Sequence, residues 1–336
     1  MRNLSAAVMP LASVMLLASA AAAPLLAAAT MMPVVPFPGA KDTLAAALND
    51  KNVLAGTYVD KNGVKHGFVG TLDGTYTSFD FGKSGNTVAI GIDKAGDITG
   101  ANYTSDQQIC NATPYERIKG KSNPVKKGTK AMTGLAWGMD AAGDFVGYTC
   151  DQTHLIVGYQ GKAAKYKSDV KISGTQFAVA PSGINTSGVI DGWSVDATGV
   201  AKGFILKGGT TSFVTYPHAT QTQLTGLNDA GLATGVWTDA SSVQHAFMYD
   251  TKTSKFTSLE PKGAKTSVAG SVNNKGLIAI YSDKGSFIYC PKTCPSAGFA
   301  FETTSVHVPA SRFLRYENGA AAKPAAFTMP RIPFVN

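Results

Sequence analysis

Short apolar runs separated by polar turns make up most of the chain after residue 50, and long amphipathic helical patterns are absent there. The stretch GINTSGVIDGW (183–193) is typical, because an Asn-x-x-Gly turn lies between two apolar runs. Runs of this length bounded by turn residues indicate β-strands, and such a turn joins two strands into a hairpin. The pattern therefore predicts an all-β fold built from hairpins.

The same hairpin occurs six times along the chain, each time anchored on an Asn or Asp. The six anchors, spaced 43 to 47 residues apart, are Asn49, Asp93, Asp140, Asn185, Asn228 and Asn273. A Gly follows seven residues after the anchor in five copies, whereas the sixth copy has Ile280. A fixed period of this length is the signature of a repeat architecture. The units are numbered repeat 1 to repeat 6 from the N-terminus.

The anchor turn has a simple physical basis. Asn or Asp at the first position accepts hydrogen bonds from backbone N–H groups shortly after it. A Gly three residues later supplies the left-handed conformation that a type I turn with a bulge requires. Repeat 1 has Asn52 at that position, and Asn tolerates this conformation well. All six copies are therefore predicted to form the same turn.

Each repeat continues with a second turn and two more strands. In repeat 1 the turn is VDKNGV (59–64), and the third and fourth strands are HGFVGTL (66–72) and TYTSFDF (75–81). Four short antiparallel strands in about 45 residues form the blade of a β-propeller. The predicted fold is therefore a six-bladed β-propeller of four-stranded antiparallel blades.

A ring of blades needs a segment that joins its two ends. The stretch at 33–43 resembles the fourth-strand stretch at 77–87, so an N-terminal strand is predicted to close the ring as the outer strand of the last blade. The segment FETTSVHV (301–308) is the competing candidate. The predicted propeller occupies residues 30–309, and the Ala- and Pro-rich residues 310–336 are predicted to form a loosely packed or mobile tail.

Three tripeptides at the start of the third strand carry a family resemblance. His245-Ala246-Phe247 is the full form, and repeats 1 and 4 have the variants His-Gly-Phe at 66–68 and Lys-Gly-Phe at 202–204. Together with the anchor turns, these resemble the extracellular HAF-type repeat, named for its His-Ala-Phe tripeptide, over about residues 31–290. The resemblance implies an exported propeller, and it implies no particular reaction and no catalytic residues.

The first 29 residues have the features of a secretory signal peptide. A basic start at Arg2 precedes an apolar stretch and then small residues, the order that signal peptides follow. Two A-x-A sequences, at 18–20 and 27–29, fit cleavage, and an uncleaved membrane anchor is the alternative. No later segment is apolar and long enough to span a membrane. A secreted, periplasmic or cell-surface location is predicted.

Four cysteines lie after the predicted signal peptide, an even number in a predicted oxidising compartment, which indicates two disulfides. Cys290 and Cys294 are close enough to form a local loop, so Cys110 is predicted to pair with Cys150. A four-thiolate zinc site needs two close pairs of cysteines, and the chain has one. No metal or other cofactor is predicted.

The formal net charge of +8 favours anionic surfaces or polymers as partners, but the chain has no nucleic-acid-binding module, so nucleic acid is not predicted as a partner. Basic residues concentrate in the irregular stretch of repeat 2 at 104–133, which lacks the tripeptide and has the pattern of a loop. Arg117, Lys119, Lys126 and Lys127 of this stretch are predicted to dock an acidic polysaccharide or a phosphate-rich envelope surface. The alternative is a solvated, mobile loop.

Each repeat has one aromatic residue shortly after the Gly of its second strand, among them Tyr58, Trp193 and Trp237. Packing between blades is one interpretation of these rings. The other is that some of them line a carbohydrate-binding face, because flat aromatic rings stack on sugars.

Candidate catalytic patterns are weak. The five histidines are scattered, and no G-x-S-x-G elbow is present. The leading hypothesis is therefore a secreted or periplasmic binding or interaction module, expected to be a monomer, whose ligand is a carbohydrate or an anionic envelope polymer. A glycan-acting hydrolase or lyase with paired Asp residues at the propeller mouth is the alternative.

Overall fold

The computed structural model describes residues 29–82, 85–104, 109–151, 156–174, 177–292 and 294–295. Residues 1–28 of the predicted signal peptide, the competing closing segment 301–308 and the predicted tail lie outside the described residues. Within the described part, no helix is long and apolar enough to cross a membrane.

The described chain consists of short β-strands and one 3-10 turn, Ile109–Asn111. The first strand is β1 (Thr30–Pro33). Repeat 1 contains β2 (Asp42–Leu48), β3 (Val53–Val59), β4 (Lys65–Thr71) and β5 (Tyr76–Phe79). Repeat 2 contains β6 (Asn86–Ile92), β7 (Ile98–Tyr103), β8 (Thr113–Ile118) and β9 (Lys121–Pro124), and is followed by the hairpin β10 (Lys126–Lys127) and β11 (Lys130–Ala131).

The later repeats follow the same order. Repeat 3 contains β12 (Leu135–Met139), β13 (Asp144–Cys150), β14 (Ile156–Lys162) and β15 (Lys165–Asp169). Repeat 4 contains β16 (Ala178–Ile184), β17 (Ile190–Val195), β18 (Ala201–Lys207) and β19 (Thr210–Val214). Repeat 5 contains β20 (Gln221–Leu227), β21 (Leu232–Thr238), β22 (Gln244–Asp250) and β23 (Lys255–Ser258). Repeat 6 contains β24 (Ser267–Val272), β25 (Ile278–Ser282) and β26 (Gly285–Cys290).

Four separate four-stranded antiparallel sheets form most of the molecule. Repeats 1, 2 and 5 each form one of them in chain order, and the fourth has the order β1-β26-β25-β24. In that last sheet Thr30 lies opposite Cys290 and Pro33 opposite Phe287. The stretch predicted for this place, 33–43, is corrected to Thr30–Pro33, because residues 34–41 form no strand and β2 of repeat 1 begins at Asp42. Repeats 3 and 4 share a ten-stranded sheet, in which a parallel bridge joins Ile156 to Ala178 and the hairpin β10–β11 lies on the outer edge of β15.

A β-bulge precedes the anchor in every repeat. The register between the first and second strands shifts, for example, between Ala45 and Ala47 and between Leu224 and Gly226. All six residues three positions after an anchor have positive φ, from 62° at Asn52 to 94° at Gly96. The predicted anchor turn is therefore present six times.

The Gly of the second strand packs against the Phe of the tripeptide. Gly56 pairs with Phe68, which is fully buried, and a Cβ on Gly56 would lie 2.8 Å from its ring. Gly235 makes the same contact with Phe247, whereas Gly192 pairs with Phe204 but a Cβ there would first meet the Ala180 carbonyl oxygen, at 2.3 Å. Gly therefore recurs at this position of the repeats because a Cβ there would collide with neighbouring atoms.

The prediction that repeat 2 lacks its third strand is wrong. The segment TPYERI forms β8, and Tyr115 lies opposite Gly100, as Phe68 lies opposite Gly56. Tyr115 is fully buried, and its hydroxyl donates to the carbonyl of Val88 at 2.9 Å. A tyrosine replaces the phenylalanine, so the strand persists without the tripeptide.

Both predicted disulfides are confirmed. Cys110–Cys150 joins the connection before β8 in repeat 2 to the end of β13 in repeat 3. Cys290–Cys294 closes a local loop at the end of β26. The first bridge therefore crosses a boundary between repeats, whereas the second does not.

Candidate functional site: the anchor mouth and the basic edge

The anchor turns of all six repeats line one cavity, the anchor mouth. It encloses about 720 Å³ of empty space, including its open end. Its acidic lining residues are Asp50, Asp93, Asp140 and Asp229, and Lys94 is its one basic lining residue. The mouth is therefore a cavity of mixed polar and apolar lining, at the end of the fold where the first and second strands meet.

Each Asn anchor makes two kinds of hydrogen bond. Its Oδ1 accepts from the backbone N–H group four residues later, and in Asn49, Asn185 and Asn273 also from the one two residues later. Its Nδ2 donates to the backbone carbonyl of the next anchor in the series. These links are Asn49 to Asp93 at 2.9 Å, Asn185 to Asn228 at 3.3 Å, Asn228 to Asn273 at 2.9 Å and Asn273 to Asn49 at 3.1 Å. One amide thus caps its own turn and holds the neighbouring repeat.

The residues just after the anchors add a second tier of links. Asn274 Nδ2 donates to Asp50 at 3.1 Å and to Asp229 at 2.8 Å. The Thr186 hydroxyl donates to Asp229 at 2.7 Å. Repeats 4, 5, 6 and 1 are therefore joined twice around the mouth.

Asp93 and Asp140 interrupt the series of amide links. Oδ1 of Asp93 accepts from Gly96 and Asp97, so the turn cap is kept. An ionised carboxylate has no hydrogen to donate to the next carbonyl. Both side chains are buried, at 6% and 8% exposure, and burial raises the pKa of each carboxyl.

A third buried carboxyl, Asp191 of β17, lies beside the mouth. It is fully buried, and neither of its oxygens has a well-formed hydrogen bond. Burial raises its pKa to about 8, although the nearby backbone amides of Gly226 and Gly183 partly offset this rise. A Cβ on Gly183 would lie 2.3 Å from Asp191 Oδ1, so only Gly fits there. The position of the Asp191 side chain therefore requires Gly at position 183.

The second candidate surface, the basic edge, is formed by the hairpin β10–β11 and the strand β15 beside it. Its register places lysine opposite lysine: Lys127 faces Lys130, Lys126 faces Lys165, and Lys165 faces Lys162. These five side chains are exposed. Like charges placed directly opposite each other destabilise a sheet.

The hairpin of the basic edge is an ordered element, not a mobile loop. Val125, just before it, is fully buried in a cluster with Phe145 and Tyr159. The ammonium of Lys127 lies 4.1 Å from the centre of the Tyr166 ring. The backbone of the hairpin and the Lys127 side chain are therefore held in place by contacts within the protein.

The structure does not bring all four predicted basic residues together. Arg117 stacks its guanidinium 4.6 Å from the Phe79 ring of repeat 1. Lys119 lies in the β8–β9 turn, where its backbone N–H donates to Asp97. Lys126 pairs instead with repeat 3. The prediction of a single basic loop is therefore corrected to an edge that contains Lys126 and Lys127.

The three aromatic candidates have no free ring face. Trp193 is fully buried. Tyr58 is stacked between Phe37 at 3.8 Å and His66 at 5.0 Å. Trp237 is stacked in the same way, between Tyr216 at 4.6 Å and His245 at 4.4 Å. The packing interpretation fits these rings, and the sugar-stacking interpretation does not, because both faces are covered.

The histidine of the tripeptide holds two carboxylates. His245 Nε2 lies 3.4 Å from Asp239, and its Nδ1 pairs with Glu260. His66 sits between Asp60 at 3.8 Å and Asp80 at 2.9 Å. The sequence pattern did not indicate these pairs, because the second acid lies 14 or 15 residues after the histidine. An acid follows the fourth strand in both repeats, Asp80 in repeat 1 and Glu260 in repeat 5, and this recurrence could have predicted the pairs.

Among the residues that the structure describes, no group of three or more His, Cys, Asp or Glu side chains is arranged to hold a metal ion.

No family model matches the chain, and no curated protein matches it. A structure of TolB from Acinetobacter baumannii is similar over 73% of this chain, with 13% identity and a TM-score of 0.50. The chain is an all-β propeller. The prediction of an all-β propeller is confirmed, whereas six blades, closure by an N-terminal strand and membership of the HAF-type repeat family stay predictions. The chain spans 64% of the TolB structure, and a likeness at this identity concerns the fold alone.

Two further propellers are similar at lower scores. A lectin from Aleuria aurantia, in complex with a fucose-containing ligand, matches 79% of this chain and 100% of its own, with 12% identity and a TM-score of 0.47. A gluconolactonase from Xanthomonas campestris matches 78% of this chain and 89% of its own, with 10% identity and a TM-score of 0.48.

Proposed function

We propose that this propeller is a secreted or periplasmic binding module whose partner is an acidic polysaccharide and whose docking surface is the basic edge. The observation that carries the proposal is the register of the edge, in which Lys127 faces Lys130 and Lys126 faces Lys165. Such pairs cost stability in the free protein. A polyanion laid along the edge removes that cost, because its charges pair with lysines that otherwise repel each other.

The proposal is also supported by the contacts that hold the hairpin in an ordered conformation. Buried Val125 fixes the hairpin backbone, and the contact with Tyr166 fixes the side chain of Lys127. Surfaces ordered before binding lose less conformational entropy on association. Three acids of this region are already engaged: Asp144 pairs with Lys162 at 2.7 Å, Asp169 accepts from the Tyr166 hydroxyl at 2.8 Å, and Glu116 accepts from the backbone N–H of Ala164. An external anion therefore meets little competition at Lys126, Lys127 and Lys130.

We also infer that the six repeats form six blades and that the N-terminal strand closes the ring. Two contacts between distant parts of the chain support this inference. Thr30–Pro33 pairs with β26, and Asn273 of repeat 6 donates to Asn49 of repeat 1. The ten-stranded sheet would then be two blades joined by the Ile156–Ala178 bridge.

An extracytoplasmic location is part of the proposal. The two disulfides fit an oxidising compartment such as the periplasm or the cell exterior. The predicted signal peptide agrees with this location. Acidic polysaccharides are found there, which makes the proposed partner accessible.

Retention on an immobilised polyuronate tests the binding proposal. The wild-type protein is expected to be retained at low salt, released as salt rises, and not retained on neutral dextran. A Lys126→Glu/Lys127→Glu variant is expected to pass through. Lys252→Glu/Lys255→Glu, which makes the same charge change at exposed positions of repeat 5, is the matched control and is expected to be retained. Equal retention of both variants and the wild type would reject the basic edge as the docking surface.

The alternative, a glycan-acting hydrolase or lyase at the anchor mouth, is favoured by one observation: Asp93 and Asp140 are buried carboxyls of raised pKa that line the mouth. This function requires release of reducing ends from the polysaccharide. It also requires that Asp93→Asn abolish the release while the protein stays folded. Both the binding and the reducing-end assays can be run on the same samples, so the two functions are distinguishable.

A further inference from the structure

Three carboxyl groups occupy positions where other repeats carry a neutral hydrogen-bond donor. Asp93 and Asp140 are anchors, and the other four anchors are Asn. Asp191 lies six residues after its anchor, where repeats 2 and 5 have Thr99 and Thr234. The three groups lie in repeats 2, 3 and 4, so each faces the next repeat of one continuous arc.

The neutral donors at these positions join one repeat to the next. The Asn amides do so through the anchor carbonyls, as described for the mouth. The threonine hydroxyls do so one layer deeper, where Thr99 donates to the carbonyl of Trp137 and Thr234 to that of Gly270. Trp137 and Gly270 hold the same place, three residues before the next anchor.

An ionised aspartate at these positions differs from the Asn or Thr of the other repeats in one respect, because it has no hydrogen to donate to the next repeat. Asp140 caps its own turn through Oδ1, which accepts from Ala142 at 2.8 Å and Asp144 at 3.0 Å. Asp93 does the same, and its Oδ2 lies 3.5 Å from the place where a Cβ on Gly143 would stand, over the next anchor turn. Asp191 is fully buried, and neither of its oxygens has a well-formed hydrogen bond, although the backbone amides of Gly226 and Gly183 lie nearby. In each case an added proton would restore the missing donor.

We propose that Asp93, Asp140 and Asp191 are protonated in the folded protein, that they donate to carbonyls of the following repeat, and that loss of these protons loosens the ring from repeat 2 to repeat 5. The protonated carboxyl groups then act as donors in the same way as the Asn amides and Thr hydroxyls at the other boundaries between repeats. Because the anchor turns of this arc line the mouth, the shape of the mouth becomes dependent on pH.

The charges around the three groups favour the protonated forms. After burial, the negative charge of Asp97 raises the pKa of Asp93, and Asp93 and Asp97 both raise the pKa of Glu116 close by. Asp144 faces Asp140 and acts in the same direction, whereas Lys162 opposes it. No charged side chain contributes to the shift at Asp191, where burial dominates. An ionised carboxylate at any of these sites would be buried without a paired cation, which is costly.

Other contacts hold the arc together at a distance from the mouth. The Cys110–Cys150 bridge and the pairing of Lys126 with Lys165 cross the boundary between repeats 2 and 3. The Ile156–Ala178 bridge crosses the boundary between repeats 3 and 4. Loss of the protons should therefore open the arc at the anchor turns only, without separating the sheets.

Hydrogen exchange of the intact wild-type protein across pH tests the proposal, with rates corrected for the intrinsic effect of pH. Amides of residues 93–97 and 140–144 are expected to exchange about tenfold faster, relative to those of 228–232, at about pH 9 than at about pH 5. Asp93→Asn/Asp140→Asn supplies permanent donors and is expected to abolish this difference. Asn228→Asp, the reverse change, is expected to create the same pH dependence in repeat 5.

Two results would overturn the proposal. One is an equal pH dependence of exchange in the wild type and the double Asn variant. The other is a rise in exchange at 93–97 on addition of EDTA at constant pH, because a bound cation would then be filling the place assigned to the proton. If the double Asn variant does not fold, the single Asp140→Asn variant takes its place. Exchange at 140–144 must then no longer depend on pH as it does in the wild type.

Discussion

Asn273 Nδ2 donates to the backbone carbonyl of Asn49 at 3.1 Å, although the two residues are 224 positions apart in sequence. The same amide geometry joins Asn228 to Asn273 and Asn49 to Asp93, which are 45 and 44 positions apart. The contact between the last and first repeats is therefore built like the contacts between successive repeats. Repeats stacked in an open row would not bring Asn273 of repeat 6 into contact with Asn49 of repeat 1.

Asn273→Ala should lower the free energy of unfolding by about 2 kcal/mol. The change removes both the link to Asn49 and the cap of its own turn, and a hydrogen bond lost from a buried polar group costs about 1–3 kcal/mol. Chemical denaturation measures the effect. The control is Asn123→Ala, which removes an exposed bond to the Lys121 carbonyl and should cost less than about 0.5 kcal/mol. Equal effects would show that the link carries no stability.

A protein that starts at Val34 should melt several degrees below one that starts at Thr30. The shorter chain lacks the strand that pairs with β26, so the edge of that sheet loses its partner. Calorimetry of the two truncated proteins makes the comparison, since both lack the predicted signal peptide. Equal melting temperatures would reject closure by the N-terminal strand.

Removal of each disulfide should destabilise the protein according to the length of the loop it closes. Cys110–Cys150 spans 40 positions and Cys290–Cys294 spans 4, so the chain-entropy model predicts losses of about 4 and about 2 kcal/mol. Paired Cys→Ser variants measured by denaturant titration provide the test. A larger loss for the 290–294 pair would contradict the entropic explanation and would point to strain or packing at the end of β26.

Glu116→Gln should stabilise the protein at alkaline pH and have little effect at about pH 4. Glu116 is 3% exposed, its Oε2 accepts from the backbone N–H of Ala164, and burial raises its pKa to about 7. Because the folded pKa lies above the unfolded value, stability falls as pH rises from about 4 to about 7 and then stays low.

Glutamine keeps the acceptor for Ala164 and removes the charge, so the gain at about pH 8 is expected to be about 1–3 kcal/mol after solvent screening. Denaturation curves at several pH values measure it. Parallel stability–pH curves for the variant and the wild type would contradict the role assigned to this carboxyl.

The repeat period, the anchor turns and the disulfide pairs could be predicted from sequence because each depends on local chemistry. The turn at Asn185, for instance, needs only an acceptor and a left-handed residue three positions later. The link from Asn273 to Asn49 could not be predicted in this way, because Asn and Asp cap a turn equally well and differ only in what they offer a distant neighbour.

The candidate site was harder to predict for a similar reason. Nothing in the sequence near Lys126 indicates that it will lie opposite Lys165, a residue of the next repeat. The sequence could not decide between packing and a sugar-binding face for Trp237, because the residues that cover it, Tyr216 and His245, lie 21 positions before it and 8 after it. The loop prediction at 104–133 failed because Tyr115 replaces the expected phenylalanine.

The dissociation constant for a soluble polyuronate, measured by calorimetry at two salt concentrations, tests the central claim most directly. The wild type and the Lys252→Glu/Lys255→Glu control are expected to bind with the same affinity and to weaken about tenfold or more between about 50 mM and about 200 mM salt. Lys126→Glu/Lys127→Glu is expected to bind at least about tenfold more weakly at the lower salt. Equal affinity of both charge-reversed variants, or no binding by the folded wild type at low salt, would contradict the assignment of this propeller as a polyanion-binding module.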